Sequence, residues 1–173
     1  DLIRQLWPIR RSVCGPGLRE TLQVIGRRIH LDLLEIRSGK KAYDWTIPDE
    51  WQLFRATLRD RSGRLIVDTA ERDLHVVNYS TPIHTRLSLT DLQPHLHSID
   101  DKPTLTPYRT SYYTPNWGFC LPKVLADSLE PDEYEVHVDT KIAPGSLSIG
   151  ESILWSEDAK EEILFSIHCC HPQ

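Results

Sequence analysis

Apolar residues near the start of the chain recur with the period of an α-helix. A helix that begins near Pro16 would carry on one face Leu18, Leu22, Ile25 and Ile29. Pro16 suits the first helical turn, where its missing N–H leaves no hydrogen bond unmade. Residues 2–7 have the spacing of a shorter helix that ends at Pro8, and residues 31–36 predict a strand. The chain is therefore predicted to open as helix, loop, helix and strand.

The middle of the chain changes to the pattern of short strands separated by turns. Residues 45–77 predict several such strands, and residues 60–63, with the sequence Asp-Arg-Ser-Gly, predict a hairpin turn between two of them. Residues 74–79 predict another strand. Ser88 has the position of a helix N-cap, and residues 123–129 predict a short helix.

The last part of the chain returns to strands. Tyr134, Val136 and Val138 alternate with polar residues, which is the pattern of a strand with one buried face. Residues 147–155 predict a second strand, followed by an acidic loop. The continuous apolar run over residues 163–167 predicts a buried central strand, because both faces of such a strand are covered by protein.

Composition restricts the classes of protein that fit this pattern. The chain has 173 residues, of which 39% are hydrophobic and 26% charged, as expected for a globular protein. No apolar run has the length of a membrane span, and a net charge of −5 argues against a nucleic-acid partner. Four cysteines without a disulfide-like spacing, and no signal peptide, predict a cytoplasmic location. Because the chain begins with Asp1 and contains no Met, we expect a fragment of a longer polypeptide.

A cluster of side chains that can bind metals follows the apolar run 163–167. It comprises His168, Cys169, Cys170 and His171. Ligand sites in open α/β sheets lie just beyond the carboxyl ends of strands, and His and Cys are common zinc ligands. One strand end does not complete a metal site. The pattern is equally typical of a buried strand that ends in small cysteines and a hydrogen-bonded histidine.

A glycine-rich turn before the predicted helix is a candidate anion site. Arg11, Ser12 and Arg19 surround this turn, and the N-terminus of a helix can bind a substrate carboxylate. The same residues also fit a tight turn with surface arginines. The functional interpretation therefore places Arg11, Ser12 and Arg19 among the substrate-binding residues, with the structural interpretation left open.

Aromatic residues of the middle region form a second candidate site. A wall for a peptide or a sugar could be built from Trp45, Trp51, Tyr112, Tyr113 and Trp117. Of these we place Trp45, Tyr112 and Trp117 among the substrate-binding candidates, and the alternative is the aromatic core of a small β domain. His95 and His97 have the spacing of two ligands on one strand face, but their setting beside Pro94 favours exposed histidines.

Several segments, in order along the whole chain, resemble the DUF4910 aminopeptidase-like proteins. These proteins contain the DUF2172 region and are related to the M28 zinc aminopeptidases. The matching segments are Arg11-Ser12-Val13-Cys14-Gly15-Pro16-Gly17-Leu18-Arg19-Glu20-Thr21-Leu22, Tyr43-Asp44-Trp45-Thr46-Ile47-Pro48-Asp49-Glu50-Trp51, Leu74-His75-Val76-Val77-Asn78-Tyr79-Ser80-Thr81-Pro82, Thr110-Ser111-Tyr112-Tyr113, Trp117-Gly118-Phe119-Cys120-Leu121, and Glu162-Ile163-Leu164-Phe165-Ser166 leading into Cys170-His171-Pro172. Their common order along the chain makes the resemblance more specific than any one segment.

The resemblance implies a zinc-dependent hydrolase in which water activated by the metal cleaves an amide bond. His171 matches the family's first zinc ligand, while His168 lies where relatives have Tyr or His, which argues against a ligand role. One or two zinc ions are implied for the full-length protein. The other ligands and the general base are expected beyond Gln173, so this fragment alone should neither hold zinc nor be catalytic. The implied partner is a peptide or an aminoacyl small molecule.

The resemblance and the pattern together predict an α/β fold made of two pieces. Residues 1–45 and 132–173 are expected to belong to a zinc aminopeptidase-like α/β domain, and residues 46–131 to a mostly β domain inserted into it. Two alternatives to the hydrolase remain. One is a non-hydrolytic binding or modifying module linked to surface-polysaccharide biosynthesis, and the other is a purely structural β module. The oligomeric state is left open.

Overall fold

A computed structural model describes residues 1–169 of the chain as a mixed α/β fold rich in strands. The helices are α1 (Leu2–Leu6), α2 (Pro16–Gly26), α3 (Leu89–Leu92) and α4 (Lys123–Ala126). The strands are β1 (Asp32–Arg37), β2 (Lys41–Ala42), β3 (Trp45–Thr46), β4 (Glu50–Asp60), β5 (Leu65–Asp68), β6 (Ile83–Ser88), β7 (Leu96–His97), β8 (Phe119–Cys120), β9 (Glu133–Ala143) and β10 (Ser146–Glu151). No helix within residues 1–169 is both long and apolar enough to cross a bilayer.

The chain divides into two compact units. The first comprises Asp1–Glu50 and the described residues from Pro144 onward, and the second comprises Trp51–Ala143. Sequence analysis placed the second boundary at residue 131. Strand β9 lies in the second unit because β6 pairs antiparallel with it from Ile83 to Ser88.

The first unit is a helix packed on a pair of strands. Strands β1 and β10 are antiparallel, and α2 packs against β10. The buried side of α2 carries Leu18, Thr21, Leu22 and Val24. The helix ends at Gly26, earlier than the apolar spacing suggested, so Ile29 lies outside it and is exposed.

The second unit is built on a four-stranded sheet with the order β5-β4-β9-β6. Tyr134, Val136 and Val138 alternate with more exposed residues along β9 and are buried, which confirms the predicted half-buried strand. The predicted turn at residues 60–63 joins β4 to β5. The side chain of Ser88 accepts a hydrogen bond from the backbone N–H of Asp91 and caps α3, as predicted.

One predicted strand of the second unit is wrong, and one observed strand was not predicted. Residues 74–79 do not form a strand, because Asp73–His75 is a 3-10 turn and Val76 and Asn78 make only isolated bridges. Strand β6, which the sequence analysis missed, pairs with β9 instead. Its sequence, Ile-His-Thr-Arg-Leu-Ser, contains only two apolar residues, which is a weak apolar signal. Its residues alternate between half-buried and exposed.

The prediction of a buried central strand at residues 163–167 is wrong for the described chain. These residues are not in a strand, and the side chains of Ile163, Leu164, Phe165 and Ile167 are between 80% and 90% exposed. A strand forms only by hydrogen bonding to a neighbouring backbone. No other segment within residues 1–169 pairs with this run.

Candidate functional site

Four aromatic rings of the second unit form a row that leads from its core to its surface. The ring of Trp51 stacks on that of Tyr79 with centroids 6.0 Å apart, and Tyr79 packs against Tyr112 at 5.7 Å. Tyr112 in turn packs against Tyr113 at 4.0 Å. Trp51 and Tyr79 are buried, whereas Tyr113 is 77% exposed. We call this row the aromatic ladder.

Tyr79 holds the ladder together in an unusual backbone conformation. Its φ angle is 65°, in the left-handed region that few residues with a side chain occupy. The flanking backbone enforces this angle: the N–H of Asn78 donates to the carbonyl of Arg109, and the N–H of Ser111 donates to the carbonyl of Asn78, both at 2.9 Å. A strained conformation of this kind persists only where the surrounding structure holds it in place. Such positions are found more often than others at functional sites.

Ser80 links this turn to the strands of the sheet. Its carbonyl accepts hydrogen bonds from the indole N–H of Trp51 at 3.0 Å and from the hydroxyl of Thr140 at 2.8 Å. Its own hydroxyl donates to the carbonyl of Val77 at 2.6 Å and accepts from the N–H of Gly118 at 3.3 Å. Ser80 is fully buried, and these satisfied polar groups give the turn a single rigid arrangement.

Residues 108–117, which we call the aromatic loop, carry the exposed end of the ladder. The loop is joined to the Tyr79 turn by the hydroxyl of Ser111, which donates to the carbonyl of Tyr79 at 3.0 Å. Burial, together with the hydrogen bond to Tyr113, raises the pKa of the Tyr112 phenol to about 12. Tyr112 is therefore a neutral hydrogen-bonding group over the whole physiological pH range.

The last residue of the loop, Trp117, packs on a histidine. The rings of Trp117 and His95 are stacked nearly parallel with centroids 3.8 Å apart, and Nδ1 of His95 lies 2.9 Å from the carbonyl oxygen of Trp117. The prediction that His95 and His97 are exposed is wrong, because His97 pairs with Cys120 of β8 and His95 stacks on Trp117, so both are half-buried. Burial, and to a smaller extent Arg109 and His95, lowers the pKa of His97.

The half-buried histidines should make the second unit sensitive to acid. Burial also lowers the pKa of His75, whose Nδ1 lies 2.9 Å from the carbonyl oxygen of Cys120, while Arg72 lowers it further and Glu71 opposes the shift. Below about pH 6.5 the unfolded chain takes up protons that the folded histidines resist. The unfolded state then binds more protons, so the free energy of unfolding should fall as the pH drops through this range.

Urea unfolding at a series of pH values between neutrality and mild acid tests this expectation. His75→Asn, which keeps a donor near the Nδ1 position, should make the loss of stability in acid smaller. His97→Asn should act in the same direction, because burial also lowers the pKa of His97. A wild-type stability that does not fall in acid would contradict the expectation.

Arg11 and Ser12 of the predicted anion site in the first unit donate hydrogen bonds to the nearby backbone. Arg11 is buried, and its Nη1 donates to the carbonyl of Leu6 at 2.6 Å at the end of α1. The buried hydroxyl of Ser12 donates to the carbonyl of Cys14. These bonds support the structural interpretation of the turn, and substrate binding by Arg11 and Ser12 stays a prediction.

Arg19 is paired with a carboxylate that the sequence analysis did not single out. Its Nη1 and Nη2 donate to the two carboxylate oxygens of Glu50 at 2.6 and 2.9 Å, and Glu35 lies 4.0 Å from Nη1. The Arg19 hydrogen bond, helped by the N–H of Ser146, lowers the pKa of Glu50 despite its partial burial. This network ties α2 to the starts of β4 and β10, and no local pattern signals so distant a pair.

The predicted substrate-binding aromatics are divided between the two units. Trp45 is half-buried on β3 in the first unit, whereas Tyr112 and Trp117 lie on the aromatic loop of the second. Tyr79, which the sequence analysis placed only at the end of a predicted strand and in a family segment, lies at the centre of the ladder. Its position could have been suspected because Asn-Tyr-Ser is a turn-like interruption of an apolar run.

The predicted zinc ligand His171 lies outside the described residues. Among residues 1–169, no three His, Cys, Asp or Glu side chains are arranged so that they could hold a metal ion. A catalytic zinc site needs three protein ligands and one open position. Residues 1–169 therefore do not by themselves supply the ligands of a zinc centre.

Comparison with known proteins places the second unit in a family. Residues 50–141 match the model described as "Domain of unknown function (DUF2172)". The chain is 42% identical over 172 residues to a protein of Clostridium acetobutylicum named "Putative polysaccharide biosynthesis protein with aminopeptidase-like domain". That match covers 99% of this chain and 39% of the relative.

A solved structure has the same fold. It is described as the "Crystal structure of putative peptidase" from Clostridium acetobutylicum, with a TM-score of 0.91 and 43% identity. The likeness covers 99% of this chain and 40% of that one, so the chain spans about two fifths of the length of the proteins it resembles. Because the DUF2172 match nearly coincides with the second unit and spans more than half of the sequence, the chain belongs to the DUF2172 family.

Proposed function

We propose that the complete protein is an aminopeptidase-like zinc hydrolase that acts on a peptide or aminoacyl substrate in the cytoplasm. The observation that carries this proposal is the likeness of 99% of the chain to a protein whose name includes an aminopeptidase-like domain. In this proposal the first unit is part of the peptidase-like domain. The DUF2172 unit is an insertion that limits which substrates reach the active site.

The proposal assigns the metal to residues outside the described structure. His171 is the candidate first ligand through the resemblance of Cys170-His171-Pro172 to the family segment. The remaining ligands and the general base would come from other parts of the complete protein. One or two zinc ions per chain are then expected, and the catalytic chemistry depends on that complete set of ligands.

Metal content tests the proposal directly. The complete gene product that contains this chain should be expressed with zinc supplied, and its metal measured by inductively coupled plasma mass spectrometry. About one or two zinc ions per chain are expected, and His171→Ala should lower that value, because losing one ligand weakens a site strongly. His168→Ala, three positions earlier, is the matched control and should leave the zinc content unchanged.

Two outcomes would contradict the zinc assignment. The first is a complete gene product without zinc after expression in its presence. The second is equal zinc content in the wild type and in His171→Ala. Hydrolysis of aminoacyl p-nitroanilides by the zinc-loaded protein, lost in His171→Ala and kept in His168→Ala, would support peptide-bond chemistry at the same site.

A second candidate function is a peptidase-like module that binds or modifies a polysaccharide without hydrolysing peptide bonds. The observation that favours it is the phrase "polysaccharide biosynthesis" in the name of the relative. A complete gene product that cleaves none of the aminoacyl substrates, with or without zinc, would favour this candidate.

A further inference from the structure

We propose that the aromatic loop, residues 108–117, is a carbohydrate-binding site in which the ring of Tyr113 stacks on a sugar ring. The site lies wholly within the second unit. Sugar binding there does not require the proposed hydrolase activity, because the loop contributes no ligand to the zinc site assigned through His171. Loss of zinc and loss of sugar binding can therefore be measured separately.

The exposed face of Tyr113 is the structural basis of the site. Tyr113 is 77% exposed although one side of its ring packs on Tyr112 at a centroid distance of 4.0 Å. Exposure of an aromatic ring to water is unfavourable, and the apolar C–H face of a pyranose can cover the ring and remove it from water. The rings of Tyr112 and Tyr113 are in contact, and Tyr112 packs in turn on Tyr79, which restricts the orientation of the exposed ring.

The site is formed before any ligand binds. Tyr112 packs on Tyr79, and Tyr79 stacks on Trp51, whose indole is anchored to the carbonyl of Ser80. The loop backbone is held at both ends, since Asn78 donates to the carbonyl of Arg109 and Gly118 donates to the hydroxyl of Ser80. A rigid platform loses little conformational entropy on binding, which matters for ligands as polar as sugars.

The composition of the loop favours a sugar over a peptide. Its ten residues are three Tyr, one Trp, two Thr, one Ser, one Arg, one Asn and one Pro, with no aliphatic side chain. Peptides bind by pairing with the edge of a strand, as a helix in an apolar groove or, when rich in proline, on aromatic grooves. The loop has no strand residues beyond an isolated bridge at Thr110 and contains no Leu, Ile, Val or Ala, so a proline-rich peptide is the competing class that the test includes. Aromatic faces surrounded by hydroxyl and amide groups instead match the alternating apolar and polar faces of a sugar.

Electrostatics separates a sugar from a nucleic acid. Aromatic rings with a neighbouring arginine also stack on bases, but nucleic-acid binding draws most of its affinity from contacts between cations and phosphates. The loop has one positive side chain, Arg109, and the chain carries a net charge of −5. A neutral or weakly acidic oligosaccharide is the ligand class that this charge permits.

Nuclear magnetic resonance titration of the complete gene product that contains this chain, labelled with 15N, tests the proposal. The probes are cellotetraose, chitotetraose, an α-mannose tetrasaccharide and a rhamnose-containing tetrasaccharide, with a proline-rich decapeptide as the competing ligand class. At least one sugar should shift amide resonances of residues 108–117 in a saturable manner, and the peptide should not. The affinity for that sugar should fall about tenfold in Tyr113→Ala, because the stacking ring is lost, and should survive in Tyr113→Phe.

Tyr43→Ala is the matched control. Tyr43 is a fully exposed tyrosine of the first unit, so its loss should leave sugar affinity unchanged. The proposal is overturned if none of the four sugars shifts the resonances of the loop, or if the peptide shifts them and the sugars do not. It is also overturned if Tyr43→Ala weakens binding as much as Tyr113→Ala.

Discussion

Trp51→Ala is expected to lower the free energy of unfolding by about 3–5 kcal/mol, the range found when a buried tryptophan is truncated. Trp51 is only 7% exposed, and its ring stacks on Tyr79. Its removal leaves a cavity and deprives the buried carbonyl of Ser80 of one of its two side-chain donors. Tyr79 then loses its support, so we expect the aromatic loop to become mobile as well.

Urea unfolding measures the loss, and 15N relaxation of residues 108–117 measures the mobility. Trp51→Phe keeps most of the ring contact but removes the hydrogen bond. It should therefore lower the free energy of unfolding by about 1–2 kcal/mol more than a surface substitution does. Trp155→Ala is the control, because Trp155 is 84% exposed and should be nearly neutral. Equal stability of Trp51→Ala and Trp155→Ala would contradict the anchoring role of Trp51.

Gly17→Ala is expected to destabilise the chain by about 3 kcal/mol, at the upper end of typical overpacking effects. A Cβ atom at position 17 would overlap the carbonyl oxygen of Arg10 and approach its carbonyl carbon to 2.8 Å. The obstacle is backbone rather than a flexible side chain, so α2 must move away from the segment before it. Gly17 is therefore required for a close approach of two backbone segments.

Gly26→Ala in the same helix is the matched control. Apart from the adjacent residues and the backbone of its own helix, no atom lies within 4 Å of a Cβ placed at Gly26, the last residue of α2. Alanine there should be neutral or should stabilise the chain by up to about 1 kcal/mol, because it restricts the unfolded state more than glycine does. In thermal unfolding, Gly17→Ala should lower the melting temperature, whereas Gly26→Ala should leave it unchanged or raise it. A Gly17→Ala protein as stable as wild type would contradict the steric argument.

Elements with a strong local signal could be predicted from the sequence. The amphipathic spacing and Pro16 marked α2, the alternation of Tyr134, Val136 and Val138 marked β9, and Ser88 marked the start of α3. Most of the residues that create the signal are also buried or make the capping contact, although Ile29 of the α2 pattern is exposed. Burial on one face of the helix or the strand is thus visible as a period in the sequence.

Elements whose structure depends on a distant partner could not be predicted. The apolar run 163–167 has the sequence of a buried strand, yet it is exposed because nothing within residues 1–169 pairs with it. Residues 74–79 include three aliphatic residues, yet the segment begins in the 3-10 turn Asp73–His75 and ends at Tyr79, which is left-handed and packs on Trp51 and Tyr112. Local propensity is overridden wherever long-range packing contributes more free energy.

The candidate site also has features that the sequence indicated and contacts that only the folded structure established. Residue types and order along the chain were enough to indicate an acidic globular protein, an aminopeptidase-like resemblance and a set of aromatic and basic candidates. The folded chain then paired Arg19 with Glu50 across 31 positions and gathered Trp51, Tyr79, Tyr112 and Tyr113 into one ladder. Such contacts join residues far apart in sequence, so they leave no period or spacing to read. Only their distances in space reveal which candidate side chains hold the fold and which reach the surface.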